Sequence, residues 1–232
     1  MIDIHSHVLP SVDDGSKNDE ESLFMLKTAE EQGVTDMIFT PHCNCGFTAD
    51  RFVIEDKFKK FKTIAKNAGI NVSLYLGQEI HVIGDISGSL KKGEFLTLNG
   101  SKYALTEFSF HEEQDIVETA YMLKLSGYVP VIAHLERYFY STVETAQEVR
   151  ELGGLVQINA NSICAKEPKN KPFKKKAWSL LRANAVDVVA GDVHISRVYR
   201  MAEAYSLVAK KFGKERAEDL FVNNPKKILN DE

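Results

Sequence analysis

The chain opens on MIDIHSH (Met1 to His7), and near its far end it reads AVDVVAGDVH (Ala185 to His194). Each stretch is a short β-rich run that ends in metal-competent side chains two residues apart. Period-2 strand geometry puts His5 and His7 on one face, and Asp192 and His194 likewise, so each pair can serve one centre. Counting 2–5 and 186–191 as the first and last, the chain holds seven such runs, the others near 34–40, 71–78, 102–107, 129–134 and 155–160. The inner runs lead into Thr40-Pro41-His42, Gly77-Gln78-Glu79, Thr106-Glu107 and Ala133-His134. Six of the seven thus carry a ligand-type residue at the C-terminal end.

Helical patterns lie between the runs. Ile54, Phe58, Phe61 and Ile64 recur at helical spacing, as do Val143, Ala146, Val149 and Leu152, and the series from Val198 to Phe212 keeps one face apolar. Gly33, Gly69, Gly127 and Gly213 stand where helices should close. Repeated β–α units imply parallel strands with helices outside. Functional side chains gathered at the strand C-termini favour a barrel, where those ends converge on one mouth. The expectation is a single α/β domain over residues 1–232, a barrel of seven β/α units.

Composition narrows the function classes. The 232 residues are 44% hydrophobic and 27% charged, with net charge −4, which argues against a general nucleic-acid coat. No apolar run approaches the ~18 residues of a membrane span, and the N-terminus lacks the basic and apolar regions of a signal peptide. Three cysteines (Cys43, Cys45, Cys164) are too few for a disulfide framework. A reducing cytoplasm is the expected compartment, without membrane insertion.

One buried histidine or aspartate is ordinarily a satisfied structural group; the set is different. Buried charge is costly unless paired or metal-bound. With Asp14, the candidates are His5, His7, Asp14, His42, Glu79, Glu107, His134, Asp192 and His194. Nine groups exceed one tetrahedral zinc and suit two or three divalent ions with a bridging carboxylate. Mixed imidazole and carboxylate donors fit manganese, iron or zinc.

The opening MIDIHSHVLPSVDDGSKNDEESLFML, then GVTDMIFTPH, GQEI, HLERY, QINANS and GDVH, resembles the polymerase-and-histidinol-phosphatase (PHP) superfamily. More narrowly it is similar to the bacterial manganese-dependent protein-tyrosine phosphatases of capsular polysaccharide operons. The blocks run from Met1 to about Arg197, with the LP-x-x-DDG segment more specific than His-x-His alone. The resemblance implies a distorted (β/α)7 TIM-like barrel, the PHP fold. It implies one metal on His5, His7, Glu79 and Asp192. A second is shared by Glu79 and held by Glu107 and His134, and a third sits on Asp14, His42 and His194. It also implies two phosphate-gripping arginines, Arg137 in HLERY and Arg197 after the Asp-x-His block, with Arg200 as the alternative to Arg197. The implied substrate is the phosphotyrosine-bearing tail of a bacterial tyrosine kinase. Oligomeric state is left open.

Cys45 to Arg51 has the Cys-x5-Arg spacing of cysteine-dependent tyrosine phosphatases, but Asp50 sets a negative charge where a dianion would sit, and Phe52 follows the arginine. His81, two residues after Glu79, reads as a supporting residue. The run Lys166 to Lys176 carries six lysines and reads as a loop on the catalytic face, either a solvated surface or a funnel for acidic phosphopeptides. Other functions consistent with the residues are a different PHP phosphoesterase, such as a histidinol-phosphatase, or a non-catalytic regulator that binds a kinase tail.

Overall fold

Short runs rich in Ile, Val, Phe and Leu, each followed by an amphipathic stretch, become strands and helices in alternation. The computed structural model describes residues 1–43, 46 and 50–232. The first half runs β1 (Ile2–Asp3), α1 (Asp19–Glu31), β2 (Asp36–Phe39), β3 (His42–Cys43), α2 (Arg51–Asn67), β4 (Ser73–Leu76), β5 (Glu79–His81), α3 (Ser87–Lys91) and β6 (Tyr103–Glu107). The second half runs α4 (Ile116–Leu125), β7 (Val129–Ile132), α5 (Val143–Glu151), β8 (Leu155–Asn159), α6 (Ala160–Cys164), α7 (Lys171–Arg182), β9 (Val188–Ala190), α8 (Met201–Phe212), α9 (Lys214–Glu218) and α10 (Asn224–Asn230). Polar caps start several helices where side-chain oxygens meet free backbone donors. Asn18 accepts from Glu21 N at 2.9 Å, Asp115 from Glu118 N at 2.8 Å, and Thr142 and Thr145 form a reciprocal capping box.

Every named strand pairing is parallel. One sheet has the order β1-β2-β4 and the other β3-β5-β6-β7-β8-β9. The described residues hold nine strands where seven runs were expected, because the second and third runs each break in two. Pro41, which has no N–H to give a ladder, interrupts the second. Gly77 and Gln78 interrupt the third. The ladder nonetheless carries across the breaks: Thr40 N donates to Ser6 O (2.8 Å), Gly77 N to Phe39 O (2.8 Å) and Glu79 N to Pro41 O (3.2 Å). The first run also reaches the last, through a parallel bridge between Ser6 and Val193 and bonds from Asp192 N to His5 O (2.9 Å) and His7 N to Val193 O (3.0 Å). The result is a mixed α/β fold on a curled parallel sheet.

Strand alternation sorts the core. Ile4, Ile38, Leu105, Val131, Val188 and Ala190 belong to an inner cluster, while their neighbours Met37, Phe39, Ala104, Ile132 and Val189 pack outward in the larger cluster shared with the helices. Two expectations are corrected here. Lys171 to Lys176 form the first turns of α7 rather than a loop, with only Pro168–Asn170 as a short turn before it. Val198 lies outside α8 and is 65% exposed.

Candidate metal centre

The strand ends place all nine ligand-type residues in one cluster. His7, Asp14, His42 and His194 bring donor atoms within 4.8 Å of one another; so do His5, Glu79 and His134, then His5, His7 and Asp192, then His42, Glu79 and Glu107. Glu79 sits at the middle. Its Oε1 is 3.1 Å from His5 Nε2 and 2.9 Å from His134 Nε2, and its Oε2 is 2.9 Å from His42 Nδ1 and 3.3 Å from His7 Nε2. Asp14 Oδ1 is 3.3 Å from His194 Nε2 and 3.5 Å from His42 Nε2. Glu107 lies 3.6 Å from His134 Nε2, and His81 Nδ1, 3.2 Å away, holds its other oxygen. That contact gives His81 the supporting position expected of it.

Backbone geometry at the strand ends is unusual. His134 and Asp192 both have positive φ, 30° and 45°, in a region that costs a non-glycine residue ~1–3 kcal/mol. Surrounding bonds hold them there. Gln157 Oε1 accepts from His134 N (2.8 Å) and lies 3.2 Å from His5 Nδ1, and Asn159 Nδ2 donates to Asp192 Oδ2 at 2.7 Å. Asp13 Oδ2 is 2.8 Å from His7 Nδ1 and accepts from His42 N at 3.0 Å. Sequence reading missed Asp13, Gln157 and Asn159. Their signal lay in the quoted blocks, Asp13 in LP-x-x-DDG and Gln157 and Asn159 in QINANS, the last two ending the one run without a ligand.

The electrostatics are those of a site made for cations. Burial disfavours a charge on His7, but the Asp13 contact and the adjacent Glu79 carboxylate outweigh it and raise this imidazole to about 9. The adjacent His194 ring holds Asp14 down at about 2. Burial opposes ionisation of Asp192, yet His5 and Arg197 beside it depress its carboxyl far below the usual range. Among the described residues, the buried Glu79 Oε2 and His194 Nε2 meet neighbouring groups at ion-pair distance but without good hydrogen-bond geometry. A mixed imidazole and carboxylate set whose buried lone pairs are poorly used by hydrogen bonds fits divalent metal ions.

Two arginines flank the cluster. Arg197 donates to Asp192 Oδ2 at 2.6 Å and to its carbonyl at 3.0 Å, and Arg137 donates to the same Oδ2 at 3.2 Å. The Arg137 guanidinium lies 4.5 Å from the centre of the Phe110 ring, which stacks on Tyr138. Arg200 instead turns to Glu203 at 2.6 Å. Of the Cys-x5-Arg stretch only Gly46, Asp50 and Arg51 are described. Cys45 lies outside the described residues; Arg51 is bound to Glu55 and to Gly93 O, both at 2.8 Å, and Asp50 caps α2 through Phe52 N at 2.7 Å.

A parallel α/β scaffold with imidazoles, carboxylates and guanidinium groups gathered at its strand ends has the donor set of a metallohydrolase. The chain belongs to the CpsB/CapC family of capsular polysaccharide synthesis, which matches residues 1–230. It is 38% identical to the tyrosine-protein phosphatase CpsB of Streptococcus pneumoniae, over 100% of this chain and 99% of that one. It is 33% identical to the tyrosine-protein phosphatase YwqE of Bacillus subtilis, over 93% of this chain and 86% of that one. A crystal structure from work on YwqE and CpsB, described as unique metal-dependent tyrosine phosphatases, superposes with TM-score 0.90 at 31% identity, covering 100% of this chain and 95% of the other.

Proposed function

We propose that this chain is a metal-dependent protein-tyrosine phosphatase that acts in the cytoplasm on a phosphotyrosine-bearing bacterial tyrosine kinase and so regulates capsular or exopolysaccharide synthesis. The reading takes residues 1–232 as one PHP-type domain, its seven β/α units closed into a distorted barrel across Ser6 and Val193. The observation that carries it is the pair of arginines at Asp192: Arg137 and Arg197 meet on one carboxylate at the edge of a nine-donor cluster. The full-length similarity to named tyrosine phosphatases supports the choice of substrate.

In this reading His5, His7, Glu79 and Asp192 hold one metal, Glu79, Glu107 and His134 a second, and Asp14, His42 and His194 a third, with manganese as the native ion. Bound there, divalent cations neutralise phosphoryl charge and make a nucleophilic water available near neutral pH. Arg137 and Arg197 aim guanidinium forks at the phosphoryl oxygens, where charge-assisted bonds strengthen as negative charge develops. Phe110 fixes the plane of Arg137. Asp13 and Gln157 hold the rings of His7 and His5 in orientation. A tyrosyl phenolate, pKa ~10, leaves far more readily than an alkoxide, so no dedicated general acid is assigned.

The test is turnover of p-nitrophenyl phosphate after chelation and after return of single metals, followed by a phosphotyrosine peptide against histidinol phosphate. Metal-restored activity with preference for the peptide is expected. Preference for histidinol phosphate would assign a different PHP phosphoesterase, and no turnover with any metal would leave a non-catalytic binder.

A further inference from the structure

Beside the donor cluster a cavity of about 390 Å³ opens away from Asp192 toward the start of α7. Arg137 and Arg197 form its inner wall, and Asn161, Lys169, Phe173 and Arg200 continue it outward. Four cationic side chains line it against one carboxylate, Glu167, on a chain whose net charge is −4. That carboxylate is turned to its own loop, accepting from Lys166 N at 3.3 Å and Asn170 Nδ2 at 3.4 Å. Arg200 is paired with Glu203 at 2.6 Å. Lys169, exposed in the turn Pro168–Asn170, makes no ion pair among the described residues. Phe173 and the exposed Val198 add apolar wall, enough to seat an aliphatic stem below a charged head.

We propose that this cavity is a second anion subsite, seating an acidic side chain of the substrate peptide that flanks the phosphotyrosine, with Lys169 as its specificity-determining cation. The proposal rests on the phosphatase reading and sharpens it. With the phosphoryl group between the metals and the two arginines, this cavity offers the peptide a lined exit along Phe173 and Lys169. A carboxylate there meets charge of opposite sign, whereas a flanking lysine meets charge of its own sign. The effect is local and distinct from long-range attraction by the lysines of α7. Lys171 and Lys175 are exposed on the same helix but line no part of this cavity, and Lys176 is spent inside the fold on Tyr138 O and Ser141 O.

The experiment measures kcat/KM for three phosphotyrosine peptides identical except for the residues on both sides of the phosphotyrosine, which are Glu, Gln or Lys. p-Nitrophenyl phosphate serves as the small reference. The parent should favour Glu over Gln by about two- to fivefold, the size of a partly exposed ion pair, and disfavour Lys. Lys169→Glu should reverse that order and change p-nitrophenyl phosphate turnover far less than peptide turnover. Lys171→Glu and Lys175→Glu should keep the parent order. No preference in the parent, or reversal by Lys171→Glu as readily as by Lys169→Glu, overturns the subsite. A parent that turns over neither peptide nor p-nitrophenyl phosphate with any metal fails at the phosphatase reading itself, and the substrate subsite falls with it.

Discussion

At the scale of single residues, neighbours of one type hold different posts. Asp14 is half exposed and faces His42 and His194, while Asp13 is buried against His7 and the backbone of His42. Asp13→Asn should keep the fold and lower metal affinity or activity by ~10–100-fold, as loss of a carboxylate behind a ligating imidazole does. Calorimetric titration with manganese reads this directly, and unchanged affinity would remove Asp13 from the site. The arginines separate in the same way. Arg137→Ala and Arg197→Ala should each cost ~2–4 kcal/mol of transition-state stabilisation with metal content retained. Arg200→Ala should cost much less, because that side chain is bound to Glu203. A silent Arg197→Ala beside an inactive Arg200→Ala would exchange their roles. Cys164 gives a pH signature. Burial pushes its thiol from 9.0 up to about 12, so the folded chain binds a proton there that the unfolded chain has released. Stability from this group is full below pH ~9 and falls as pH rises toward about 12. Cys164→Ala should flatten that part of the stability–pH curve in urea melts.

At the scale of elements, strand ends were the legible part and strand interruptions were not. The hydrophobic runs announce parallel strands because both faces of each are buried, and the ligand residues stand out because nothing apolar explains a His, Glu or Asp at the end of such a run. The splits at Pro41 and at Gly77-Gln78 depend on which neighbour takes each backbone bond, a tertiary matter that local pattern does not carry. Lys176 reads as surface charge, yet it serves as a half-buried staple on the loop after Arg137, because its partners are carbonyls from a distant segment. Gln157 escaped notice because a neutral amide at a strand end has an ordinary packing use. Gly191 shows how tightly the last strand meets the first. A Cβ there would stand 2.4 Å from Asp3 Oδ2 and 2.5 Å from Tyr199 Cε2. Gly191→Ala should therefore push the Asp192 turn off its donors and destabilise the chain by ~1–3 kcal/mol or more. Denaturant midpoints measure the stability loss and metal content measures the displaced turn; a parental value of both would mean the turn has slack that the contacts do not suggest.

At the scale of the whole molecule, the donor cluster is also a fastening. His5 and His7 follow β1, His42 is in β3, Glu79 in β5, Glu107 ends β6, His134 follows β7, and Asp192 and His194 follow β9. Four carboxylates and five imidazoles thus draw both ends of the curled sheet to one point. No helix among the described residues is long and apolar enough to cross a membrane. A metal that binds only the folded state adds RT ln(1 + [L]/Kd), about 2.7 kcal/mol at a hundred times Kd for one site. For a chain of this length each kcal/mol raises the melting temperature by about 2–4 °C. Manganese added to chelated protein should therefore raise the melting temperature by at least ~5 °C, and restore phosphatase turnover over the same concentration range. Glu79→Gln should abolish most of both responses, since Glu79 touches four of the five imidazoles. Lys169→Gln, remote from the donors, should keep both. A chelated chain that melts where the loaded one does and still hydrolyses p-nitrophenyl phosphate would show that the cluster is held by its own hydrogen bonds, and that phosphate chemistry here proceeds without a metal.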